Sequence, residues 1–302
     1  MKVLPKSILG MFWMAATVSC FVLIAVCGRE LSDTMNIFQI MLIRGSVAFI
    51  VLLVIIAGFG IKFPRTNHLK LHIFRNCVHY ASQSAWFLGV SLLPIATVFA
   101  IEFTTPIWVA LIAVIALKEK FNRGRAIALI FGFCGVLIIL RPGLDTFDVA
   151  TIAVLGAALG FAVVYVVTKV LSGYDSPVTV LFYMNLVHII IGLYPGLSVW
   201  VQPDWNDLHW MILVGVSALG AHYCLTRALV YADTIVIMPI DFLRLPIAVI
   251  IGILFYNEAF NYAVVLGAIM IFGGNYYNLR VEASLAKHPE SRHLAKHPES
   301  RQ

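Results

Sequence analysis

The feature that most constrains this 302-residue sequence is an internal repeat without gaps. Residues 101–141 recur as residues 240–280, and all matched positions share one offset (258 − 119 = 139). Within this repeat, Glu102 is matched by Asp241. Self-similarity at a fixed period indicates a duplication. Identical residues of the first copy include Glu119, Phe121, Asn122, Phe133, Gly135, Leu140 and Arg141, which match Glu258, Phe260, Asn261, Phe272, Gly274, Leu279 and Arg280.

Loop charge predicts that the second copy is inverted. The turn of the first copy carries Lys118, Lys120, Arg123 and Arg125, whereas residues 257–262 of the second copy contain no basic side chain. Lys and Arg are retained on the cytoplasmic side of a membrane, so we expect the two turns to lie on opposite faces of a bilayer. Inverted repeats are typical of secondary transporters, whose substrate site lies between the halves near the bilayer midplane.

Composition places the whole chain in a membrane. Hydrophobic residues make up 61% of the sequence and charged residues 12%. Nearly every window of about 20 residues is therefore apolar enough to span a bilayer, which excludes a soluble domain. We predict an all-α integral membrane protein with ten transmembrane helices in two inverted five-helix repeats. The apolar runs place the spans at about residues 8–27, 38–60, 71–93, 95–117, 124–141, 149–171, 178–201, 208–231, 234–256 and 261–280.

The repeat also predicts the domains and the topology. Residues 1–141 form the first repeat, residues 149–280 form the second, and the polar residues 281–302 are expected to be a disordered cytoplasmic tail. Acidic residues collect in the odd-numbered loops and basic residues in the even-numbered ones. Both termini are therefore predicted to be cytoplasmic, in a bacterial inner membrane. The same topology accounts for the net charge of +6 without a nucleic-acid partner.

No motif indicates a catalytic or metal site. The five cysteines lie inside or at the ends of apolar runs without CxxC spacing, so we expect neither a disulfide nor a metal site. The sequence lacks GxxxxGK[ST], HExxH and GxSxG. Neither ATP-driven transport by this chain alone nor a common membrane enzyme is indicated, and we assign no catalytic residue and no cofactor.

The two acids at equivalent positions are the sharpest candidates for a binding site. Glu102 and Asp241 lie near the middle of the fourth and ninth spans, where a charge costs at least about 2.5 kcal/mol unless it has a partner, a wet cavity or a role. An inverted two-fold axis would bring both acids to one central cavity, where they would bind substrate or take up a proton. The alternative is that they neutralise arginines, because Asp241 and Arg244 lie three residues apart on a helix.

Arginines in the spans outnumber these acids. Arg44, Arg227 and Arg244 leave a cationic surplus, which predicts a substrate with an anionic group because a guanidinium binds carboxylate or phosphate through two parallel hydrogen bonds. Arg75 and Lys169 are expected instead to extend to lipid headgroups. Further polar or aromatic candidates beside the charges are Tyr80, Gln83, Trp86 and Tyr223.

Prolines and glycines indicate breaks and close packing in the same spans. Pro106, Pro239 and Pro246 remove helical hydrogen bonds from the two spans that carry the acids, either as hinges for gating or as static kinks. Small residues in the fifth and tenth spans are expected to allow close helix packing, between the halves or between protomers. They are Gly132, Gly135, Gly267, Gly273 and Gly274.

With these motifs the chain resembles the drug/metabolite transporter superfamily, specifically its ten-span EamA type. The resemblance covers about residues 8–280 and rests on Phe103-Thr-Thr-Pro106, Leu117-Lys-Glu119 and Gly135-Val-Leu-Ile-Ile-Leu-Arg-Pro142, and on Pro239-Ile-Asp-Phe-Leu-Arg-Leu-Pro246 with Glu258. It implies a central cavity lined by both repeats. Members implied by it include exporters of amino acids and other metabolites, riboflavin importers and S-adenosylmethionine transporters, and the run from Arg75 to Phe87 is similar in layout to the last group.

The leading hypothesis is a secondary transporter of a small anionic or zwitterionic metabolite, driven by proton coupling, exchange or a bare gradient. Such a metabolite would be amino-acid-like or nucleoside-like, as S-adenosylmethionine is. An exporter of amino acids, organic cations or drugs is the alternative within transport, and a membrane scaffold or an intramembrane enzyme is the alternative outside it. The protein is expected to act as a monomer or homodimer in the lipid bilayer.

Overall fold

The computed structural model describes residues 6–116, 122–140, 148–232 and 234–287, and this part of the chain is entirely helical apart from short connections. A single 3₁₀ turn, Trp205–Asp207, precedes α9. The α-helices are α1 (Lys6–Ser32), α2 (Ile37–Gly58), α3 (Leu69–Leu92), α4 (Ile95–Glu102), α5 (Thr105–Ala116), α6 (Arg123–Leu140), α7 (Val149–Leu171), α8 (Pro177–Ser198), α9 (Leu208–Tyr231), α10 (Thr234–Asp241), α11 (Arg244–Tyr256) and α12 (Tyr262–Lys287).

Several helices begin at side chains that cap their first turn. Asn36 accepts a hydrogen bond from the amide of Phe38 at the start of α2, and Asp148 accepts one from Ala150 at the start of α7. Ser176 caps α8 and is followed by Pro177, whose missing N–H costs nothing at a first helical position. These polar caps satisfy amides that the apolar spans leave without partners.

The two spans that carry the acids are broken helices, and they break at equivalent positions. Helix α4 ends at Glu102 and α10 ends at Asp241, and each is followed after two residues by the helix that completes the span. The breaks are related by the same offset as the sequence repeat (241 − 102 = 139). Pro106 and Pro246 lie in the first turns of α5 and α11. A proline is tolerated at the start of a helix, but it would disrupt a helix that continued through it.

Helix pairing reflects the inverted repeat. Helices α1–α6 form the first repeat and α7–α12 the second, and α1 packs along α9 as its counterpart α7 packs along α3. The pairs α2 with α8, α4 with α11 and α6 with α12 each join one repeat to the other. The halves therefore interlock over their whole length.

Glycines set the closest of these contacts. A methyl group added to Gly135 of α6 would lie 2.6 Å from the carbonyl oxygen of Gly267 in α12. A methyl group added to Gly267 would lie 2.5 Å from the carbonyl oxygen of Gly135. Gly274 packs in the same way on Ala128, and Gly132 packs against Ile107. The expected close packing between the halves is therefore present, whereas Gly273 has no atom within 4 Å of its Cβ direction and takes no part in it.

The predicted all-α membrane architecture is confirmed. Seven segments of the described chain are long and apolar enough to cross a membrane, and both broken spans are among them. Helices α3, α6 and α12 complete the ten predicted spans, so the count of ten membrane crossings stays a prediction. Helix α12 continues to Lys287, past the predicted boundary at residue 280. Residues 117–121, which include Glu119, and the tail from residue 288 lie outside the described part.

Candidate substrate site

The two acids and one arginine meet between the repeats. Nη1 of Arg244 donates to Glu102 Oε1 at 2.9 Å, and its Nη2 donates to Asp241 Oδ2 at 2.6 Å. Trp86 Nε1 donates to the other oxygen of Glu102 at 2.8 Å. We call Glu102, Asp241 and Arg244 the acid cluster. Both acids are the last residues of their broken helices and Arg244 is the first residue of α11, so the breaks themselves bring the three together.

The acid cluster has an uncompensated negative charge. Its two carboxylates face one guanidinium, and all three side chains are less than one-fifth exposed. The guanidinium also lies 4.9, 5.4 and 5.0 Å from the ring centroids of Phe21, Phe99 and Phe103, which adds cation–π contacts to its ion pairs. Arg244 is thus fully engaged. Its predicted use as a grip for an anionic group is not available in this conformation.

Tyr165 of α7 lies near the acid cluster and is only half buried. Its electrostatic neighbours are Asp241, Arg244, Glu102 and Arg75. Of its surface, 52% is accessible. A polar aromatic side chain with free surface beside buried charges can contact a small polar ligand.

A second polar group lies on α2, α3 and α8. Arg44, which is 1% exposed, donates from Nη2 to Gln83 Oε1 at 3.1 Å. His79 and His188 share a hydrogen bond of 3.2 Å between ring nitrogens, and the Tyr80 ring lies 5.5 Å from that of His188. Of the predicted site residues, Arg44, Tyr80 and Gln83 therefore come together here, while Trp86 contacts the acid cluster through Glu102.

Arg75 corrects one expectation. It was expected to extend to headgroups, but it is only 4% exposed, and it donates to Thr168 Oγ1 at 3.0 Å and to Asn76 Oδ1 at 2.7 Å. A sequence signal for this existed. Arg75, His79 and Gln83 recur at intervals of four, which places them on one face of α3. That polar stripe turns inward because the exposed face of α3, with Ile73, Phe74, Cys77 and Ala81, is apolar.

Arg227 and Tyr223 are placed elsewhere. Arg227 donates to the hydroxyl of Tyr231 at 2.7 Å and lies over the Trp13 ring at 5.6 Å. Tyr223 meets the same Trp13 edge-on, with centroids 5.8 Å apart. These contacts lie on the half of α9 that ends at Tyr231, whereas the acid cluster lies on α4, α10 and α11. The structure thus divides the predicted site residues among three groups.

Comparison with known proteins decides the family. The family model described as the EamA-like transporter family matches residues 8–141 and 149–280, which is nearly the whole chain. The chain belongs to the EamA-like transporter family.

Curated relatives of this EamA-like chain are bacterial transporters. A riboflavin transporter of Brucella anthropi is 30% identical and covers 80% of this chain and 87% of its own length. An S-adenosylmethionine uptake transporter of Rickettsia bellii is 25% identical over 82% and 84%, and a riboflavin transporter of Vibrio cholerae is 26% identical over 82% and 85%. The family and these relatives identify a multi-pass membrane transporter of a small metabolite, of bacterial inner-membrane type.

A solved structure supports the fold alone. One crystal structure aligns with a TM-score of 0.66 at 12% identity, over 91% of this chain and 98% of the other. The broken spans and the paired repeats described above therefore belong to an architecture that an experimental structure shares.

One face of this EamA-like bundle is closed by an ion pair. Arg29, near the end of α1, pairs with Glu258 at 3.0 Å and donates to the carbonyls of Ser91 and Leu93. Glu258 also accepts from the amide of Ile95 at 3.3 Å. We call Arg29 and Glu258 the outer latch, because the predicted topology places it on the periplasmic face. It joins the first repeat to the second.

The opposite face has a different network. Asp175, in the connection between α7 and α8, accepts hydrogen bonds from Thr66 at 2.7 Å and from Nε2 of His72 at 2.8 Å. These bonds tie the loop between α2 and α3 to the second repeat. The pKa of Asp175 is lowered: burial alone would raise it, but the hydrogen bonds from Thr66 and His72 outweigh burial.

Two clefts lie at the ends of the bundle. One of about 460 Å³ is lined by Pro94, Ile253 and Glu258, and one of about 440 Å³ is lined by Arg65, His68 and Asp175. Neither is lined by the acid cluster.

Proposed function

We propose that this protein moves a small zwitterionic or anionic metabolite across a bacterial inner membrane by alternating access, with the acid cluster as its central binding site. The observation that carries the proposal is the pairing of Glu102 and Asp241, one from each repeat, on Arg244 at the breaks of the two spans. Broken helices from both repeats are where transporters of this architecture hold substrate.

The charge of the acid cluster supports a substrate with a cationic group. Two carboxylates and one guanidinium leave one negative charge, which a substrate amine or sulfonium would compensate. Because Arg244 links an acid of the first repeat to one of the second, a cation that takes over Glu102 would loosen a bond between the repeats. Substrate occupancy would then be coupled to movement of one repeat against the other.

The relatives narrow the choice of substrate. S-adenosylmethionine carries a sulfonium, an amino group, a carboxylate and a flat ring, so it offers a partner to the acid cluster and to the aromatic side chains of Trp86 and Tyr165. Riboflavin has a flat ring but no fixed positive charge, so it would leave the excess negative charge of the acid cluster without a cationic partner. A nucleoside-like or amino-acid-like zwitterion is therefore our preferred class.

Two modes of energy coupling are consistent with the acid cluster. In exchange, one substrate cation replaces another at Glu102 or Asp241. In proton coupling, a carboxylate that has lost its contact with Arg244 takes up a proton before the site reopens. A pH gradient without counter-substrate distinguishes the two, because only proton coupling responds to it.

Export of organic cations or drugs is the second candidate function. The same negative charge and the rings of Phe21, Phe99 and Phe103 favour it, because an organic cation without an anionic group could bind through these side chains alone. A scaffold or an intramembrane enzyme has no comparable support. Buried charges that meet between two broken helices have a cost that a scaffold would not require.

Flux into liposomes that contain only this protein tests the proposal. Vesicles loaded with S-adenosylmethionine, methionine, succinate or tetraethylammonium are diluted into the corresponding labelled compound, and counterflow is measured against protein-free vesicles. We expect counterflow with a zwitterion. Counterflow with tetraethylammonium alone would select the cation exporter, and a protein that exchanges none of the four classes while remaining folded would overturn the proposal.

A further inference from the structure

A group of buried hydrogen-bond donors on α2 and α3 lacks acceptors. Within the described residues, Nε of Arg44, Nδ2 of Asn76 and the hydroxyl of Tyr80 have no hydrogen-bond partner. All of these side chains are less than one-tenth exposed. Unpaired buried donors are rare because each carries the full cost of leaving water. We call these three residues, together with Arg75, the donor cluster.

The donor cluster is contiguous. Asn76 uses its oxygen to accept from Arg75, which leaves its amide nitrogen as the free group. Tyr80 lies one turn further along α3, against His188. Arg44 reaches α3 at Gln83, eight positions from Arg75 or about 12 Å along the helix. The two arginines thus flank a short stretch of free donors from opposite ends.

Charge makes this stretch unusual. In the part of the chain that the structure describes, Arg44 and Arg75 contact only neutral acceptors, namely Gln83, Thr168 and Asn76. Both arginines are also electrostatic neighbours of His79, His188 and His222. Two buried guanidinium groups without a carboxylate partner are costly unless an anion compensates them.

We propose that the donor cluster is a subsite for the carboxylate of the transported substrate. The inference rests on the proposed function and extends it: the acid cluster takes the cationic end of a zwitterion and the donor cluster takes its carboxylate. Tyr165 connects the two clusters, since its electrostatic neighbours include Arg75 as well as Glu102 and Asp241. A zwitterion bound in this way would neutralise the acid cluster and halve the excess positive charge of the donor cluster.

Binding of formate to the purified full chain tests the subsite without knowledge of the substrate. The apparent unfolding temperature is measured in detergent as sodium formate replaces sodium isethionate at constant ionic strength. A ligand that binds only the folded state raises this temperature. We expect a saturable rise that is weakened at least tenfold in apparent affinity, roughly the effect of losing one charged hydrogen bond, by Arg44→Gln and by Arg75→Gln.

Matched variants control for non-specific effects of formate and for variants that fail to fold. Arg280→Gln removes an exposed arginine whose partner is Tyr276, and it should respond to formate like the parent. If Arg44→Gln does not fold, Arg44→Lys retains the charge and loses the planar fork, so it should bind more weakly than the parent. An equal rise in all variants, no rise in the parent, or a rise with phosphate alone would each overturn the carboxylate subsite.

The formate experiment and the flux experiment can succeed or fail independently of each other. Counterflow without formate binding would refute the donor cluster as a carboxylate subsite and leave transport in place. Formate binding that both arginine variants lose, in a protein that exchanges none of the compounds, would support the subsite and refute the proposed transport.

Discussion

Phe103 and Phe242 occupy equivalent positions of the two repeats (242 − 103 = 139), and their rings stack with centroids 4.1 Å apart. Equivalent residues can meet only where the axis that relates the repeats passes between them. The axis thus runs through the breaks of the two spans, directly after Glu102 and Asp241. The symmetry fails at one position that matters: Arg244 has Thr105 as its counterpart, so a single arginine serves both acids.

Removal of Arg244 should destabilise the fold, because two partly buried carboxylates would lose their only cation. We expect Arg244→Gln to lower the free energy of unfolding by about 3 kcal/mol, in line with other broken buried ion pairs. A triple variant that also carries Glu102→Gln and Asp241→Asn should recover part of this loss. Unfolding in detergent measures both. Equal destabilisation of the single and triple variants would show that packing, not charge, dominates.

Substitution of Gly135 should separate α6 from α12. In Gly135→Ala the new methyl group would meet the backbone oxygen of Gly267, which cannot move aside as a side chain can. We expect a loss of about 1–3 kcal/mol in the free energy of unfolding. Gly273→Ala is the matched control, because nothing lies within 4 Å of the added carbon. A control that is as unstable as Gly135→Ala would contradict the close approach.

The contribution of Glu258 to folding stability should be smaller at neutral pH than in mild acid. Burial raises the pKa of Glu258 above its ordinary 4.5, although the Ile95 amide and Arg29 lower it in part. An acid whose pKa is raised on folding contributes stability below its unfolded pKa and loses it as pH rises through the folded pKa. Relative to Glu258→Gln, the parent's unfolding temperature should therefore fall as pH rises from about 4.5 toward 7. A difference that stays constant would refute this.

Asp175 should have the opposite pH dependence. Its pKa is lowered on folding, so its contribution is present above the unfolded pKa of 3.8 and is lost as pH falls through the folded value. We expect Asp175→Asn to be less stable than the parent at pH 7 by about 1 kcal/mol, the usual size of a hydrogen-bond loss. The gap should narrow below about pH 4. A gap that widens in acid would mean that Asp175 is not the stabilising ion.

Much of the fold follows from periodicity and charge. The repeat offset locates the two breaks and both acids, and apolar runs locate the helices to within a few residues. Pairing of Asp241 with Arg244 was expected from their spacing on a continuous helix, but the helix breaks between them and the turn at residues 242–243 brings them together. The contact of Arg244 with Glu102 does not follow from spacing, since it joins positions 142 residues apart.

The donor cluster was harder to predict for a physical reason. Arg75 lies near the end of a span, where a long side chain can reach either headgroups or the interior at little difference in local energy. Only the packing of α3 against α7, where Thr168 lies, settles its direction. The partner of Arg227 was hard to predict for the same reason, because Arg227 bonds to the hydroxyl of Tyr231 one helical turn away instead of reaching headgroups.

Counterflow by a Glu102→Gln variant tests the central claim most directly. The variant keeps the size of the side chain and removes the charge that the first repeat contributes to the acid cluster. For the metabolite that the parent exchanges, we predict an initial rate reduced at least about tenfold, while Asp33→Asn, which neutralises an exposed acid of the first connection, retains the parent's rate. A folded Glu102→Gln protein that exchanges substrate as fast as the parent would contradict the account.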